Sequence, residues 1–332
     1  MNYRIALSSS ILFFLGALVV TPFLGMRFIE PELLFRSTDM AAREQTIFWT
    51  IRMPRVLLAA VAGMALAVSG MAFQGLFRNP LATPYTLGVA SGASFGAGLY
   101  VFLGFAFSVL GIGGISLFAF AGAVLATVLV YGFSRWTGQF SIATLLLAGV
   151  AIAQTFSSLL LFIQYLSDFT GSYRIVHWLM GGLHVMGYSD VLNVLPFAVA
   201  GTVILGFYLT ELNLMITGRE LAGSRGVDTE RVKVVIFFAV SLMIGGVVAV
   251  CGPIGFVGLM IPHICRQFVG ADHRRLFPVT LLFGGGFLMA CDAAARLVIA
   301  PVDIPVGVLT ALIGGPFFLW LLLRQTGRSS WF

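Results

Sequence analysis

Long apolar segments separated by short polar breaks run from one end of the chain to the other. A bilayer core about 30 Å thick needs roughly 20 apolar residues per helix, so each segment is typical of a membrane-spanning helix. One segment is short and contains Pro262 and His263, so it is expected to be broken or buried among its neighbours. The pattern predicts ten spans, near residues 5–24, 55–77, 85–108, 111–133, 142–166, 190–210, 232–251, 254–269, 277–300 and 305–323.

Composition agrees with a membrane domain and excludes an ordinary soluble one. Of the 332 residues, 59% are hydrophobic and only 10% are charged, far from the balance of soluble chains. The expected fold is therefore an all-α polytopic membrane protein of about ten transmembrane helices, with residues 1–332 forming one domain. No small-residue cleavage site follows the apolar segment that ends at Leu24, so this segment is interpreted as an uncleaved first span.

The charged residues are distributed unevenly between the two sides of the predicted spans. With a cytoplasmic N-terminus, 12 of the 19 Lys and Arg residues and 5 of the 13 Asp and Glu residues lie inside. An excess of basic residues on the cytoplasmic side is the usual rule for membrane proteins. We therefore expect both termini to be cytoplasmic, and we interpret the net charge of +6 as topological and not as a nucleic-acid footprint.

Glycine is abundant, with 39 residues, and several lie at small-xxx-small spacing, as at Gly63 and Ala67 or Gly92 and Gly96. Such spacing lets helix backbones approach closely in a lipid environment. The sequence therefore predicts a tightly packed bundle. The glycines at 284–286 and 314–315 fit the same packing, with helix hinges as the alternative.

Several kinds of activity are excluded or disfavoured by missing residues. A nucleotide-hydrolysing P-loop needs Gly-Lys followed by Ser or Thr, but the single lysine, Lys233, precedes Val234. A membrane enzyme would need a clustered nucleophile, base or metal-ligand set, and Cys251, Cys265 and Cys291 are interpreted as packed thiols. An ion-coupled secondary transporter remains the alternative function, although its usual buried carboxylate has only Asp292 as a candidate.

Six strings of this sequence resemble, in the same order, the FecCD-type permeases that import iron chelates, haem and cobalamin. The resemblance covers nearly the full chain. The strings are IRMPRVLLAAVAGMALAVSGMAFQGLFRNPLATPYTLGVASGASFGAG (51–98), LLLAGVA (145–151), WLMGGL (178–183), GPIGFVGLMIPHICRQFVGADHRRLFP (252–278), CDAAARL (291–297) and DIPVGVLTALIGGPFFLWLL (303–322).

The resemblance implies the permease subunit of a type II ABC importer in the bacterial cytoplasmic membrane. Its expected assembly is a homodimer with the substrate path on the dimer axis, two copies of a separate ATPase that binds ATP and magnesium, and a periplasmic or lipid-anchored substrate-binding protein outside. The chain itself is expected to be no enzyme, to bind no cofactor or metal, and to contact no nucleic acid. The expected cargo is a metal chelate, with ferric siderophore ranked before haem and cobalamin.

The resemblance also implies which residues serve the ATPase and the path. Residues 212–231 form the expected ATPase-coupling segment, with an ordinary solvated loop as the alternative. Polar residues of the second, third and fifth spans are expected to line the path or its cytoplasmic gate, although such residues also commonly bond a neighbouring helix. The coupling residues are Arg219, Glu220, Ser224, Arg225, Gly226 and Asp228; the path and gate residues are Gln74, Asn79, Leu81, Thr83, Ser141, Thr144, Gln154, Thr155 and Ser158.

Three arginines lie on the side that the topology leaves poor in positive charge. In the family, arginines matching Arg52, Arg55 and Arg296 receive acidic residues of the binding protein, and the guanidinium group suits such pairing. The alternative is that they reach lipid headgroups or pair internally, Arg296 with Asp292 at i, i+4.

The histidines invite a metal interpretation, which the sequence leaves open in one place. His263 is expected to be a hydrogen-bonded helix residue, because a permease for wrapped metal has no need to strip its ligands. His177 and His184 lie in a predicted outer loop near Trp178. Contact with a haem and an ordinary amphipathic surface turn both explain them.

Overall fold

A computed structural model describes residues 3–25, 28–35, 39–109, 111–136 and 142–325 of the chain. These ranges are mostly helical and include one small hairpin, in which β1 (Ser108–Val109) pairs antiparallel with β2 (Ile112–Gly113). The helices are α1 (Tyr3–Val20), α2 (Asp39–Ile47), α3 (Met53–Phe77), α4 (Val89–Phe102), α5 (Gly114–Trp136), α6 (Ile142–Leu166), α7 (Phe169–Leu179), α8 (Ser189–Phe207), α9 (Leu209–Thr217), α10 (Arg219–Ser224), α11 (Thr229–Cys251), α12 (Val257–Val269), α13 (His273–Leu297) and α14 (Val306–Gln325).

Helix α3 forms the centre of the bundle and packs against α8, α11, α12 and α13. Of its most apolar stretch 83% is buried, whereas the corresponding value is 17% for α1 and 28% for both α6 and α8. The three cysteines are buried in this interior and unbridged, as predicted. Helices α1, α6 and α8 therefore form the periphery of a single chain, where lipid or another protein must cover them.

The prediction of an all-α polytopic fold is confirmed. Within the described ranges, seven helices are long and apolar enough to cross a membrane, one of them running through α2 and α3 as Ala41–Phe77. Each of the ten predicted spans overlaps one helix, and the three spans beyond these seven correspond to α4, α12 and α14.

The predicted span at 85–108 is shorter in the structure, because α4 begins only at Val89 and ends at Phe102. Its 14 residues cover about 21 Å, so the irregular segment 78–88 completes the crossing. Irregular backbone is tolerated at membrane depth only where protein surrounds it. Here the Tyr85 hydroxyl donates to the Ile254 carbonyl at 2.8 Å and accepts from the Ile254 N–H at 3.1 Å, so this break is tied to the loop before α12.

Helix α12 is buried and continuous, which decides between the two expectations for the short eighth span. It has 13 residues and carries Pro262 in its interior. It lies against α3, α13 and α14. A helix of this length is too short to cross the bilayer core, and the neighbouring helices surround it instead of lipid.

Glycines allow the central helices to touch backbone to backbone. A Cβ atom added at Gly63 would overlap the Gly284 carbonyl, and one at Gly70 would overlap the Gly258 carbonyl. A Cβ at Gly92 would overlap Gly122 in the same way. The prediction of close packing is confirmed, and the stretch 284–286 packs against α1 and α3 within an unbroken helix.

Candidate functional site

A buried ion cluster joins three segments at the end of the bundle where α3 begins, called here the Arg55 end. The Arg55 Nε donates to Asp292 Oδ1 and its Nη1 donates to Asp303 Oδ2, both at 2.8 Å. Arg296 Nε lies 3.1 Å from Asp292 Oδ2. Asp292 is fully buried, five residues before the end of α13. The Arg55 guanidinium therefore connects α3 to α13 and to the loop before α14, and Asp292 is shared by Arg55 and Arg296.

Arg296 and the nearby Arg52 also hold the turn that follows α1. Arg296 donates to the carbonyls of Leu24 at 2.7 Å and Thr21 at 3.2 Å. Arg52 donates to the carbonyls of Phe23 at 2.9 Å and Pro22 at 3.2 Å. These carbonyls belong to the turn that follows α1, so the two guanidinium groups tie this turn to α3 and α13.

These contacts bear on the predicted docking role of the three arginines. Arg55 and Arg296 are only 8% and 5% exposed, and the internal pairing of Arg296 with Asp292 is present. All three arginines line an open cavity of about 430 Å³ together with Glu44 and Asp303, and Arg52, which is half-buried, is the most exposed of them. Docking by these arginines stays a prediction.

The predicted path residues of α6 lie on the surface of the single chain. Gln154, Thr155 and Ser158 are all exposed, near the middle of a 25-residue apolar helix. The Thr155 hydroxyl donates to the Ala151 carbonyl at 2.9 Å, which satisfies it locally. The amide of Gln154 and the hydroxyl of Ser158 share one helix face at i, i+4, so this face of α6 is polar at membrane depth.

Gln74, in contrast, is fully buried inside the bundle. Its amide donates to the carbonyls of Leu259 at 3.2 Å and Gly258 at 3.3 Å, and its oxygen accepts from Arg266 at 3.1 Å. Gln74 thus bonds α3 to α12, which is the helix-bridging role that the sequence left open. Its contribution to the path stays a prediction.

The predicted gate residues lie in and beside the break between α3 and α4. The Asn79 side chain accepts from the Leu81 N–H at 2.9 Å, as in an Asx turn, and Leu81 projects outward with 54% exposure. Thr83 is half-buried in the same break, and Thr144 lies in a groove between α5 and α6. Ser141 lies outside the described residues. Leu87 of the break touches Gly149 of α6, so the two gate elements are in contact.

The predicted coupling segment folds as two short helices at the opposite end, called here the α10 end. Gly218 separates α9 from α10 with a φ of 129°, a conformation that favours glycine. Ala222 is buried and anchors α10, whereas the side chains around it are exposed. The Arg219 side chain lies outside what the structure describes. The exposed members are Glu220, Ser224, Arg225, Gly226 and Asp228.

A group of hydrogen bonds, called here the Asn213 latch, joins α9 to the start of α13 and was not predicted from the sequence. The Asn213 amide donates to Asp272 Oδ1 at 2.7 Å, and its oxygen accepts from the His273 N–H at 2.8 Å. Arg274 Nη2 donates to the Thr210 hydroxyl at 2.8 Å. Desolvation acts to raise the pKa of Asp272, but the bonds from Asn213 and from the Arg274 N–H outweigh it and lower that pKa. An ionised Asp before an apolar run is a helix N-cap signal that could have pointed to the latch.

The histidines lie in two different surroundings. His263 is bonded to Gln267 across one helical turn, with 3.1 Å between their Nε2 atoms, as predicted for a helix residue. Burial lowers the pKa of His184, and the positive charge of Arg55 and the neighbouring His177 act in the same direction. Within the described ranges, no three His, Cys, Asp or Glu side chains are grouped to hold a metal ion.

Comparison with known proteins shows which family this chain resembles in sequence. A sequence model of the FecCD transport family matches residues 11–324. The cobalamin import system permease BtuC of Halobacterium salinarum is 43% identical over 285 residues, which cover 86% of this chain and 75% of that protein. The hemin transport system permease HmuU of Yersinia pestis is 42% identical over 286 residues, which cover 86% of this chain and 85% of that protein.

A solved structure agrees with the fold over nearly its whole length. It is an ABC transporter of the metal-chelate type in an inward-facing conformation, with 31% sequence identity and a TM-score of 0.84. The match covers 97% of this chain and 100% of the other.

Proposed function

Because this chain belongs to the FecCD transport family and is the permease component of an ABC importer of the metal-chelate type, we propose that two copies of it form a path for a metal chelate across the bacterial cytoplasmic membrane. The chain is a transport subunit and not an enzyme. In the proposal, the Arg55 end faces outward, toward a periplasmic or lipid-anchored binding protein. The α10 end and both termini face the cytoplasm, where two copies of an ATPase bind ATP and magnesium.

The observation that carries the proposal is the exposed polar face of α6. A polar side chain in the hydrocarbon core is unfavourable unless another protein segment or water covers it. Gln154 and Ser158 have no such cover within the single chain, since both are exposed. A second copy facing this surface, with a water-filled path between the two, provides it. Helix α6 is then the wall of the path, and the adjoining break at 78–88 is placed to narrow it.

Cysteine substitution tests this arrangement. The Ser158→Cys permease should react with a water-soluble maleimide and form a crosslink to a second copy through a short bifunctional reagent. The Val199→Cys permease is the control, because Val199 is 51% exposed on α8 and should face lipid. The three native cysteines are buried and should contribute little background. Failure of Ser158→Cys to react with the water-soluble reagent, or equal labelling of the two variants, would count against a path along α6.

Docking of the binding protein is expected to depend on Arg52. Reversal to Glu removes a guanidinium that a carboxylate can pair with, so Arg52→Glu should weaken binding of the cognate binding protein at least tenfold in a titration. Arg43→Glu is the matched control, since it makes the same charge change at an exposed site of α2. Arg55→Glu is unsuitable because it places a second carboxylate beside Asp292. Equal affinities of Arg52→Glu and the unchanged permease, with unaltered melting, would refute the docking role.

Contact of α10 with the ATPase is the next expectation. Cysteines at Glu220 or Ser224, both exposed, should crosslink to the partner ATPase, whereas a cysteine at Met186, 83% exposed at the Arg55 end, should not. Asp228→Cys should also crosslink, but Asp228 caps α11 through the Arg231 N–H, so its loss costs about 1 kcal/mol. If no α10 cysteine crosslinks and Arg225→Glu leaves transport-coupled hydrolysis unchanged, the segment is only a solvated loop.

The proposed function also includes the identity of the transported chelate. Relatives with similar identity are named for cobalamin and for hemin, so membership in the family does not choose between these chelates. A ferric siderophore, haem or cobalamin all suit a wide path between two copies. Competition for binding among these three, measured with the cognate binding protein, would rank them directly.

A further inference from the structure

A cavity near the Arg55 end has no part in the contacts described so far. It has a volume of about 410 Å³ and opens between α7, α11 and the loop that follows α7. Its polar side chains come from α7 and from that loop, and both of the histidines that the sequence left unexplained are among them. The residues that matter here are Arg174, His177, Gly182 and His184.

The two imidazole rings are spaced as metal ligands are. The centroids of His177 and His184 are 5.3 Å apart, with the ring planes inclined by 32°. Two imidazoles that bind one metal at about 2.0–2.1 Å have centroids roughly 4.5–5.2 Å apart, for a right angle and a tetrahedral angle at the metal respectively, so one metal can bridge this exposed pair. An open chelate can accept this pair, whereas a tetrapyrrole leaves only opposite axial positions and a hexadentate chelator leaves none.

The backbone is shaped to hold one of the rings. A Cβ atom added at Gly182 would come within 2.7 Å of His184 Cδ2 and 2.9 Å of His184 Nε2. A side chain at residue 182 would therefore displace the His184 ring. In its present position the ring lies opposite His177, which projects from the last turns of α7.

The charge that lines the cavity favours an anionic complex over a bare cation. Arg174 is exposed and lines the same cavity, and no carboxylate is among the residues that line it. A guanidinium repels a free divalent ion but pairs well with a carboxylate of a chelator. Imidazole nitrogen is a preferred ligand of Ni²⁺, Zn²⁺ and similar first-row metals.

We propose that His177 and His184 form a binding site for a divalent first-row transition metal held in an anionic carboxylate complex with two adjacent exchangeable positions. The imidazoles bind the metal and Arg174 pairs with the chelator. This inference rests on the proposed function, since it places the site at the outer mouth of the path, and it narrows the cargo from wrapped chelates to open ones.

The test is calorimetric titration of the tag-free permease in nanodiscs with Ni²⁺–citrate, with Ni²⁺ alone and with citrate alone. The unchanged permease should bind Ni²⁺–citrate more tightly than Ni²⁺. The His177→Ala, His184→Ala double variant should bind both at least tenfold more weakly. Gly182→Ala should weaken both by displacing the His184 ring, while Arg174→Gln should weaken only the citrate complex. Met186→Ala, in the same loop, is the control and should change neither.

Two results would overturn the proposal: unaltered Ni²⁺–citrate affinity in the double variant, or binding of citrate alone as strongly as the complex. Ni²⁺ binding stronger than Ni²⁺–citrate binding would also contradict it, since a bare-cation site is a different site. Failure of the proposed function is a separate outcome. It would appear as a lack of ATP-driven uptake of any chelate by the complete transporter. If the transporter takes up another chelate and the double variant binds Ni²⁺–citrate as the unchanged permease does, only this inference is refuted.

Discussion

Replacing Asp292 with alanine should destabilise the folded permease more than any other single charge removal. The change leaves Arg55 and Arg296 buried without the carboxylate that they share. Removing one partner of a buried ion pair costs about 3–5 kcal/mol, because the remaining charge stays desolvated. The measurement is the thermal melting of the purified permease in detergent, monitored as the fraction of protein that stays monodisperse after heating.

Asp303→Ala is the matched control for this prediction. The Asp303 side chain is 29% exposed, and Arg55 would keep Asp292 after the change. Solvent screening and the remaining partner should limit the loss to a fraction of the Asp292→Ala effect. Equal melting of the two variants would show that the cluster does not hold α3 and α13 together.

The second large effect is expected at Gly70, where α3 touches α12. A methyl group there would overlap the Gly258 carbonyl, and a backbone atom cannot move aside as a flexible side chain can. Overpacking of this kind costs about 1–3 kcal/mol, and we expect Gly70→Ala to lie at the upper end. The measurement is again thermal melting, combined with the yield of inserted protein.

Gly16→Ala supplies the comparison, because nothing lies within 4 Å of the added Cβ in exposed α1. A surface substitution of this kind should stay within about 0.5 kcal/mol. Equal melting temperatures of Gly70→Ala and Gly16→Ala would contradict close packing at this contact.

The ten spans could be predicted because span length and apolarity are local properties of the sequence. A gap between spans was predicted at 78–84, but the structure extends the break to residue 88, because residues 85–88 have no polar signal that separates them from α4. Residues 84–87 instead form a separate turn that ends at Gly88 with a φ of 78°, and Tyr85 in this turn bonds Ile254, which is 169 residues away. A hydropathy pattern carries no information about such a partner.

The same limit applies to the candidate sites. The i, i+4 pairing of Arg296 with Asp292 is visible in the sequence and was an open alternative to docking. The bond from Arg55 to Asp292 spans 237 residues, and only the packing of α3 on α13 creates it. The Asn213 latch likewise depends on two helices meeting at the α10 end. Residue types indicated which groups matter, while tertiary packing decided which of them are buried.

The latch and the ion cluster occupy opposite ends of the same helix, α13. Asp272 and His273 bond α9 at the α10 end, and Asp292 and Arg296 bond α1 and α3 at the Arg55 end. A helix fixed at both ends can transmit a shift from one side of the membrane to the other as a rigid element. This connection gives the proposed coupling segment a physical route to the proposed docking end.

Transport by this chain is expected to be driven by ATP that another subunit binds and hydrolyses. The single lysine cannot serve a P-loop, and in the structure it is buried and paired with Glu230 at 3.0 Å. The decisive measurement is chelate uptake into proteoliposomes that contain the permease with or without its ATPase, in the presence of the binding protein. Uptake is expected only with the ATPase and ATP, and the permease alone should not hydrolyse ATP. Uptake without the ATPase, driven by an imposed ion gradient, would contradict this expectation.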